Sequence, residues 1–395
     1  MNQRFAARAA IALFVLTVGG AVLWDGAATQ LGRGDPRLAA RLVPFDARIA
    51  VQAARARLGV GGSIRDPDVR RQVRRALARD VTQPAAIELR ALQAQADGDG
   101  RRETRLFELS DAISRRSLGA RTWLIQRSVN RGDVQGALED FDIALRTSTA
   151  APPILFPVLV RAASDPGLTA PIARLLDRRQ DWRGMFLHYA VADAHAPPGV
   201  ADVVLAMRDR RTVTEGHIDQ MLVGELVSQR SFAEARRVYD AFHARPAHPT
   251  LVADPDFSRP AELFPFGWEL VERGEAGATR SRADGRPALA YQSLPGGGGE
   301  VAVQLLMLPP GDYRLRARTA QPAADRLATP FWTLTCGQEG GPQIALLDQP
   351  SAKGAVAEGN VVVPADCPAQ WLVLHLRGAD GPNAGAIATV SAEPR

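Results

Sequence analysis

The chain contains two cysteines, Cys336 and Cys367, which lie 31 positions apart in its second half. An even pair of cysteines in an exported protein is typical of a disulfide bond, because oxidising compartments let thiols pair. Two buried free thiols are the alternative. A metal site is not expected, because no histidine lies at ligand spacing from either cysteine. We therefore predict a disulfide, which would stabilise the fold by about 3–4 kcal/mol on the chain-entropy model.

Arginines alternate with other residues along the segment from Tyr313 to Thr319. Successive side chains of a β-strand point to opposite faces, so Arg314, Arg316 and Arg318 should share one face of a sheet. A row of guanidinium groups suits carboxylates, which it binds through paired hydrogen bonds. These arginines are therefore candidate ligand-binding residues. The alternative is a solvated face with balanced charge.

Trp371 and His375 form a similar pattern, because they alternate with leucines in the segment that ends at Arg377. The leucine face should belong to the core, which leaves Trp371 and His375 on the other side of the strand. An aromatic plane packs against a pyranose ring, while nearby arginines pair with a carboxylate. Together with the three arginines, these two residues predict a site for an anionic sugar.

Asp254 and Asp256 stand ahead of the first predicted strand, where oxygen ligands could support a calcium ion. Only two carboxylates are present there and no matching acidic run follows, so we predict no metal site and no cofactor. The sequence also lacks the G-x-S-x-G, H-E-x-x-H and Walker patterns of common enzyme classes. Nothing singles out a catalytic pair among the 43 acidic residues. We therefore expect a protein that is not an enzyme.

Residues 249–395 contain the elements that must position these side chains. Short runs typical of strands are separated by Gly- and Pro-rich turns such as Pro295–Gly299 and Pro309–Asp312. Many short strands without intervening helices predict an antiparallel, jelly-roll-like β-sandwich. The predicted strands are Gly267–Val271, Glu300–Leu308, Tyr313–Thr319, Phe331–Cys336, Gly359–Val363, Trp371–Arg377 and Ala386–Val390.

Residues 44–248 have helical periodicity and recur in pairs. The run WLIQRSVNRGDVQGALEDFDIALRT, residues 123–147, contains two short helices joined at Arg131–Asp133. Gly98 and Gly132 are 34 positions apart, which is the period of tetratricopeptide repeats. Since a single helical hairpin cannot bury its apolar stripe, hairpins stack and share a core. The region resembles a tetratricopeptide-repeat array, which would offer a surface to a protein partner.

Helix-start signals support this organisation of the N-terminal half. Asp66 can cap a helix that has Pro67 at its first position, and Pro84 begins the next predicted helix. Further helices are predicted over Leu118–Asn130 and Val134–Arg146. The helical pattern continues from there, punctuated by prolines, as far as residue 244.

The first residues bear on the compartment of the protein. Arg4 and Arg8 precede an uncharged run from Ala9 to Trp24, which is the layout of an export signal. The run is shorter than the roughly 20 residues of a transmembrane helix, so residues 1–28 could form an anchor, a cleaved signal or a buried core helix. We predict one inner-membrane helix, a linker at residues 29–43 and periplasmic domains after it. Secretion into the periplasm after cleavage is the alternative.

Length and composition fit a folded protein of two or three domains. Of 395 residues, 46% are hydrophobic and 23% are charged, as in ordinary globular proteins. The net charge is +5, and the 48 basic residues are interleaved with acidic ones. Because no block of like charge is present, we do not expect nucleic acid as a partner.

The C-terminal half also resembles known sandwich families. The run DPDFSRPAELFPFGWEL at residues 254–270, followed by LPPGDYRLRART and WTLTC, resembles galactose-binding-like and carbohydrate-binding-module sandwiches. With the predicted anchor and helical repeats, the layout is similar to a group of alphaproteobacterial envelope proteins. The resemblance implies this layout, and it suggests polysaccharide as a ligand and a role in envelope polysaccharide assembly or export.

We therefore predict a membrane-anchored, non-enzymatic adaptor with a protein partner and a glycan-binding sandwich. One alternative is a glycan-acting enzyme, which requires a cleft containing carboxylates of perturbed pKa. Another is a sandwich that only closes the end of the helical stack. Burial of Trp268, Trp332 and Trp371 would favour this second alternative.

Overall fold

The computed structural model describes most of the chain after residue 45. The described ranges are 46–178, 180–194, 198–243, 250–259, 264–337 and 341–395, with single positions Asp35, Leu38, Ala39 and Val43 before them. The predicted anchor at residues 1–28 and the linker at 29–43 lie outside the described residues, apart from those four positions. Within the part of the chain that is described, no helix combines the length and the apolar content needed to cross a lipid bilayer.

Thirteen helices precede the strands in the described residues. They are α1 Ala47–Gly59, α2 Pro67–Arg79, α3 Pro84–Ala96, α4 Gly100–Ile113, α5 Leu118–Asn130, α6 Val134–Thr147, α7 Pro152–Ala163, α8 Pro166–Leu176, α9 Arg183–His188, α10 Pro198–Ala206, α11 Arg211–Glu215, α12 Ile218–Ser228 and α13 Phe232–Phe242. A π-helical turn, Tyr189–Asp193, continues α9. The predicted helix starts at Pro67, Pro84 and Leu118 are confirmed, and Asp66 caps α2 as expected.

The chain divides into two compact units. The first extends to Val158 and includes Gln180–Trp182, and the second contains Leu159–Arg179 and Arg183–Arg395. In the first unit, α1/α2, α3/α4 and α5/α6 pack as three successive hairpins. The second unit contains the later helices together with the sandwich, so the compact units do not follow the change from helix to strand near residue 248.

Four helical hairpins share the same turn chemistry. In each, a backbone N–H bonds the carbonyl five residues earlier, which is the hydrogen bond of a Schellman motif. The donor–acceptor pairs are Gly62–Arg57, Asp99–Ala94, Asp133–Ser128 and Ser231–Leu226, at 2.8–3.0 Å. The residue before each donor has a positive φ, and it is glycine in the first three turns and Arg230 in the fourth. The helical-hairpin array is thereby confirmed, while its membership of the tetratricopeptide family stays a prediction.

Two antiparallel sheets follow the helices. Their strands are β1 Glu269–Leu270, β2 Glu272–Arg273, β3 Ala276–Ala283, β4 Arg286–Ser293, β5 Gly299–Leu306, β6 Gly311–Gln321, β7 Phe331–Cys336, β8 Gln343–Asp348, β9 Val356–Val363, β10 Gln370–Leu376 and β11 Asn383–Pro394. The order in one sheet is β1-β5-β10-β7-β8, and in the other it is β2-β3-β4-β11-β6-β9. The predicted antiparallel sandwich is confirmed.

The core of the sandwich lies between the sheets. Leu372 and Leu374 of one sheet and Leu289 and Ile387 of the other are fully buried in it, with Trp332 among them. Alternation along each strand places these side chains inward, because every second residue faces the same side. Burial of this apolar surface is the main source of stability for the sandwich.

A disulfide joins Cys336, at the end of β7, to Cys367, which lies ahead of β10, with their Cα atoms 5.5 Å apart. The prediction from cysteine count and spacing is confirmed. The bond fixes the entry to β10 beside its neighbour β7, since Gln370 pairs with Cys336 in the sheet.

The β3–β4 hairpin of the sandwich was not predicted, and neither was strand β8. Strands β3 and β4 pair from Ala276–Ser293 to Ala283–Arg286 around the two-residue turn Asp284–Gly285. Both turn residues have a positive φ, 52° and 75°, as a type I′ turn requires. The Asp-Gly signal was present in the sequence, but its flanking strands contain alanine, serine and arginine in place of a strongly apolar face.

The Schellman turns allow a direct test of the helical array. Replacing Gly132, whose φ is +72°, with alanine should lower the free energy of unfolding by about 1 kcal/mol, because a Cβ disfavours this conformation. Gly100 is the matched control, because a Cβ at this position would meet no other atom and the residue has no positive φ. Replacing Gly100 with alanine should leave the free energy of unfolding unchanged or raise it slightly. Urea unfolding followed by far-ultraviolet circular dichroism measures both. Equal effects of the two substitutions would contradict the assignment of Gly132 to a Schellman turn.

Candidate functional site

The three predicted arginines lie on β6, in the six-stranded sheet. Arg314 and Arg316 both pair with Glu358 of the neighbouring β9, at 3.2 and 3.3 Å. Arg318 donates a hydrogen bond to the carbonyl of Gly354 at 3.4 Å. The arginines do share the face opposite to the core, as predicted. Their charge is partly neutralised there by a cross-strand carboxylate.

Trp371 and His375 lie on β10, in the five-stranded sheet. The leucines that alternate with them are buried between the two sheets, so both residues lie on the outer side, as predicted. The arginines lie on the outer side of the other sheet, with the core between the two groups. The structure therefore does not bring the five residues together, and the prediction of one site for an anionic sugar is wrong. Alternation assigns a face within one strand, but it does not say which sheet the strand joins.

All three diagnostic tryptophans are buried. Trp332 is 0%, Trp268 3% and Trp371 6% exposed. The indole N–H of Trp268 donates to the carbonyl of Asp254, and that of Trp332 donates to the Gln349 side chain, both at 3.2 Å. These rings stabilise the sandwich and offer no open plane to a ligand.

Aromatic rings also cover part of the outer face of the five-stranded sheet. Phe264 stacks on Trp371, with ring centroids 5.8 Å apart. Farther along β10, Phe331 stacks against His375 at 4.8 Å and lies under the guanidinium group of Arg377 at 4.4 Å. Burial lowers the pKa of His375 below its ordinary value, although the charge of Glu300 opposes this shift. These stacked contacts occupy the ring faces that a sugar would need.

Asp254 is buried beside two arginines. Its carboxylate lies 3.3 Å from Arg280 and 4.0 Å from Arg259, and it also accepts the backbone N–H of Arg259. Asp256 accepts hydrogen bonds from the backbone and hydroxyl of Ser258. Two guanidinium groups beside Asp254 would repel a cation, so the geometry does not support the calcium interpretation.

The first unit contains a cavity of about 740 Å³, which we call the helical groove. It is lined from α1, α3 and α5 by residues that include Arg55, Glu88, Ser117 and Thr122. Burial raises the pKa of Glu88, although Arg55 opposes this shift. Glu88 accepts a hydrogen bond from the hydroxyl of Ser117 at the start of α5. Its carboxylate therefore links neighbouring hairpins at the base of the groove.

The sandwich contains a cavity of about 710 Å³ in its six-stranded sheet, which we call the β4 cavity. Strands β2, β3, β4 and β11 and the end of β6 all contribute to it. Its lining includes Glu272, Glu275, Tyr291, Ser293, Gln321 and Gly385. The volume lies within the range of ligand pockets, which is about 300–1,000 Å³.

Tyr291 enters the lining because Gly385 has no side chain. The two residues are directly opposite each other in the β4–β11 pairing. A Cβ on Gly385 would overlap the Tyr291 hydroxyl and would lie 2.9 Å from the carbonyl oxygen of Gln321. The tyrosine ring therefore crosses β11 at its glycine. Tyr291 is only 3% exposed, and it lines the cavity.

Ser293 places a second hydroxyl in the lining. It lies at the end of β4, opposite Ala276 and Asn383, and is 4% exposed. Within the described ranges, its Oγ has no hydrogen-bonding partner. Asn383 is fixed beside it, because its amide donates to the carbonyl of Ala328 at 2.8 Å and its oxygen accepts from the backbone of Asp325. A buried hydroxyl without a partner costs free energy, so the site favours an occupant that can supply hydrogen bonds.

Sequence reasoning missed the residues of the β4 cavity because it missed the β3–β4 hairpin. The Asp284–Gly285 dipeptide was the available signal. The close approach of Tyr291 to Gly385 could not be found in the same way, since it depends on the pairing of β4 with a strand about 100 positions later.

No protein-family model matches the chain, and no curated protein sequence matches it. Among solved structures, the chain is similar to a family 61 carbohydrate-binding module in complex with β-1,4-galactotriose, at 13% identity over 38% of this chain and 100% of that one, with a TM-score of 0.26. It is also similar to a family 4 carbohydrate-binding module, at 12% identity over 36% of this chain and 99% of that one, with a TM-score of 0.28. A third similar structure is the CBM22-1 xylan-binding domain from Paenibacillus barcinonensis, at 14% identity over 35% of this chain and 91% of that one, with a TM-score of 0.27. Because these TM-scores lie below 0.5, the similarities carry no functional conclusion for this chain.

Burial makes Tyr291 a reporter of the cavity at high pH. It raises the pKa of Tyr291 to about 12, whereas the pKa of an unfolded tyrosine is about 10. The stabilising contribution is therefore fully present below pH ~10 and is lost as the pH rises through ~12. We expect the wild type to lose about 2 kcal/mol more free energy of unfolding over this interval than Tyr291→Phe. Urea unfolding at a series of pH values measures the difference, and identical losses would place the Tyr291 hydroxyl in water.

Proposed function

We propose that the protein is a non-enzymatic adaptor whose sandwich binds a saccharide in the β4 cavity. The observation that supports this most directly is the buried hydroxyl of Ser293, which has no protein partner among the described residues and lines the cavity together with Tyr291. Each hydroxyl can donate one hydrogen bond and accept others. A ligand rich in hydroxyl groups can form hydrogen bonds with both of them.

The rim of the cavity fits the same ligand class. Gln292 and Gln321 provide amide groups, which donate and accept hydrogen bonds, and Thr279 adds a hydroxyl. Small residues such as Ala290 and Ala384 leave room beside them. Ordered water could also satisfy these groups, but a cavity of this volume has space for a ring-sized ligand in addition to water.

The adaptor part of the proposal concerns the first unit. The helical groove has a buried carboxylate, Glu88, together with the cationic side chains of Arg55 and Arg116. Such a surface suits a polar protein segment, which would be the partner of the helical array. The disulfide supports an oxidising compartment, in agreement with the export signal at residues 1–28. We place the protein at the inner membrane, with its domains in the periplasm and a role in envelope polysaccharide assembly or export.

The geometry gives little support to the enzyme alternative. Burial raises the pKa of two carboxyl groups, Glu88 and Asp140. Asp140 pairs with the buried Arg121 at 2.6 Å, which is a structural contact. Common glycosidases use two carboxylates, whereas Glu88 is the only one among the described residues that line the helical groove, and Glu272 and Glu275 of the β4 cavity are both exposed.

A second candidate function is that the sandwich serves only as a stabilising cap. The burial of Trp268, Trp332 and Trp371 favours it, since all three rings are used in packing. The two candidates differ in one observable property. A sandwich that serves only as a cap has no affinity for saccharides. The proposed binding module has such an affinity and loses it when residues that line the β4 cavity are substituted.

Binding by the full-length protein to a panel of neutral, amino and acidic oligosaccharides tests the proposal. For a saccharide that binds, Tyr291→Phe and Ser293→Ala should each weaken affinity about fivefold, because each removes one hydrogen bond. Ala384→Trp, at an exposed lining position, should abolish binding by filling the cavity. Isothermal titration calorimetry provides the affinities.

Two variants control for effects outside the cavity. Ser391→Ala removes a hydroxyl from the far part of β11, and Ala365→Trp adds an indole to an exposed turn beyond β9. Both should bind as the wild type does. A folded wild-type protein that binds no saccharide in the panel would support the cap instead, and unchanged binding by Ala384→Trp would exclude the β4 cavity as the site.

A further inference from the structure

We propose that the β4 cavity selects saccharides that contain a free amino group over uncharged and acidic ones. This inference rests on the proposed saccharide function. Two carboxylates, Glu272 and Glu275, line the cavity on the β2–β3 side. Among the described lining residues there are two acidic side chains and no arginine or lysine.

Within the described residues, neither of these carboxylates is paired with another side chain. Glu272 and Glu275 are both exposed, and in the described part of the chain neither forms an ion pair or a side-chain hydrogen bond. Two other exposed carboxylates of the sandwich are, by contrast, paired with basic side chains. Glu358 pairs with Arg314 and Arg316, and Asp284 pairs with Lys353 at 2.6 Å. The two glutamates of the cavity therefore remain available to a ligand.

The buried hydroxyl groups fit the same selection. An ammonium group has only donors, so it needs several acceptors around it. Ser293 Oγ has no partner within the described chain, and its lone pairs can accept. The phenol oxygen of Tyr291 also has lone pairs that can accept a hydrogen bond. A ligand carboxylate would instead approach two like charges, which disfavours uronic acids.

The arginines of β6 give the opposite prediction for ligand charge. They lie in the same sheet, but Arg314 and Arg316 are paired with Glu358 and do not line the β4 cavity. An anionic sugar would find its cationic partners there and not beside Tyr291. Charge preference in solution therefore reports which part of the sheet holds the ligand.

Three oligosaccharides of equal length serve as probes: a glucosamine oligomer, its N-acetylated form and an oligogalacturonate. At low salt the full-length protein should bind the glucosamine oligomer about five- to twentyfold more tightly than the N-acetylated form, and should not bind the galacturonate. The preference should shrink at high salt, because exposed charges are screened.

Charge-neutral variants assign the preference to residues. Glu272→Gln and Glu275→Gln together should remove the preference for the amine, so that the glucosamine oligomer and its N-acetylated form bind about equally. Asp366→Asn, which removes an exposed carboxylate outside the cavity, should keep the preference. Melting temperatures of all three proteins verify that they are folded.

The outcomes separate the two proposals. Equal binding of the amine and its N-acetylated form, or tighter binding of the galacturonate, would overturn the amine selection while the saccharide function stands. A preference that persists in the double variant would also overturn it. Binding of none of the probes, with the whole panel also negative, would remove the saccharide function itself.

Discussion

The missing side chain of Gly385 is the constraint on which the β4 cavity depends. The core fixes the register of β4 and β11 through Leu289 and Ile387, which face each other in the pairing and are fully buried. With that register, Tyr291 must lie opposite Gly385, and only glycine leaves room for its hydroxyl. The position of one polar group in the cavity is thus a consequence of packing between the sheets.

In the sandwich, large aromatic side chains pack in the core, whereas small residues surround the β4 cavity. Its largest rings, Trp268 and Trp332, pack against each other in the core with centroids 5.9 Å apart. The cavity instead lies where small residues such as Gly277 and Ala384 leave space around polar groups. Buried tryptophans therefore support the structural role of the sandwich and do not contradict a polar site elsewhere on it.

Local signals in the sequence predicted the helices well. Asp66 before Pro67 acts through a hydrogen bond within a few residues, so the sequence contains all that is needed to place that helix start. The same holds for β7, whose predicted bounds, Phe331–Cys336, are those observed. The disulfide was also predictable, because only one pairing of two cysteines exists.

Contacts between distant segments could not be predicted in this way. Alternation correctly placed Arg314 and Trp371 on outer faces, but the two residues belong to different sheets, and pairing between strands far apart decides that. The β3–β4 hairpin escaped prediction because its strands are rich in alanine and polar residues, whose β-propensity is weak. The residues of the β4 cavity were therefore not predicted either, although the Asp284–Gly285 dipeptide could be recognised in the sequence.

The most direct measurement is a crystal structure of the protein grown with a saturating concentration of the saccharide that binds most tightly. We predict sugar density in the β4 cavity, with sugar polar atoms in hydrogen-bonding distance of the Tyr291 hydroxyl and of Ser293 Oγ. Density for the sugar over the stacked rings of Phe331 and His375, or ordered water alone in the cavity, would contradict the central claim.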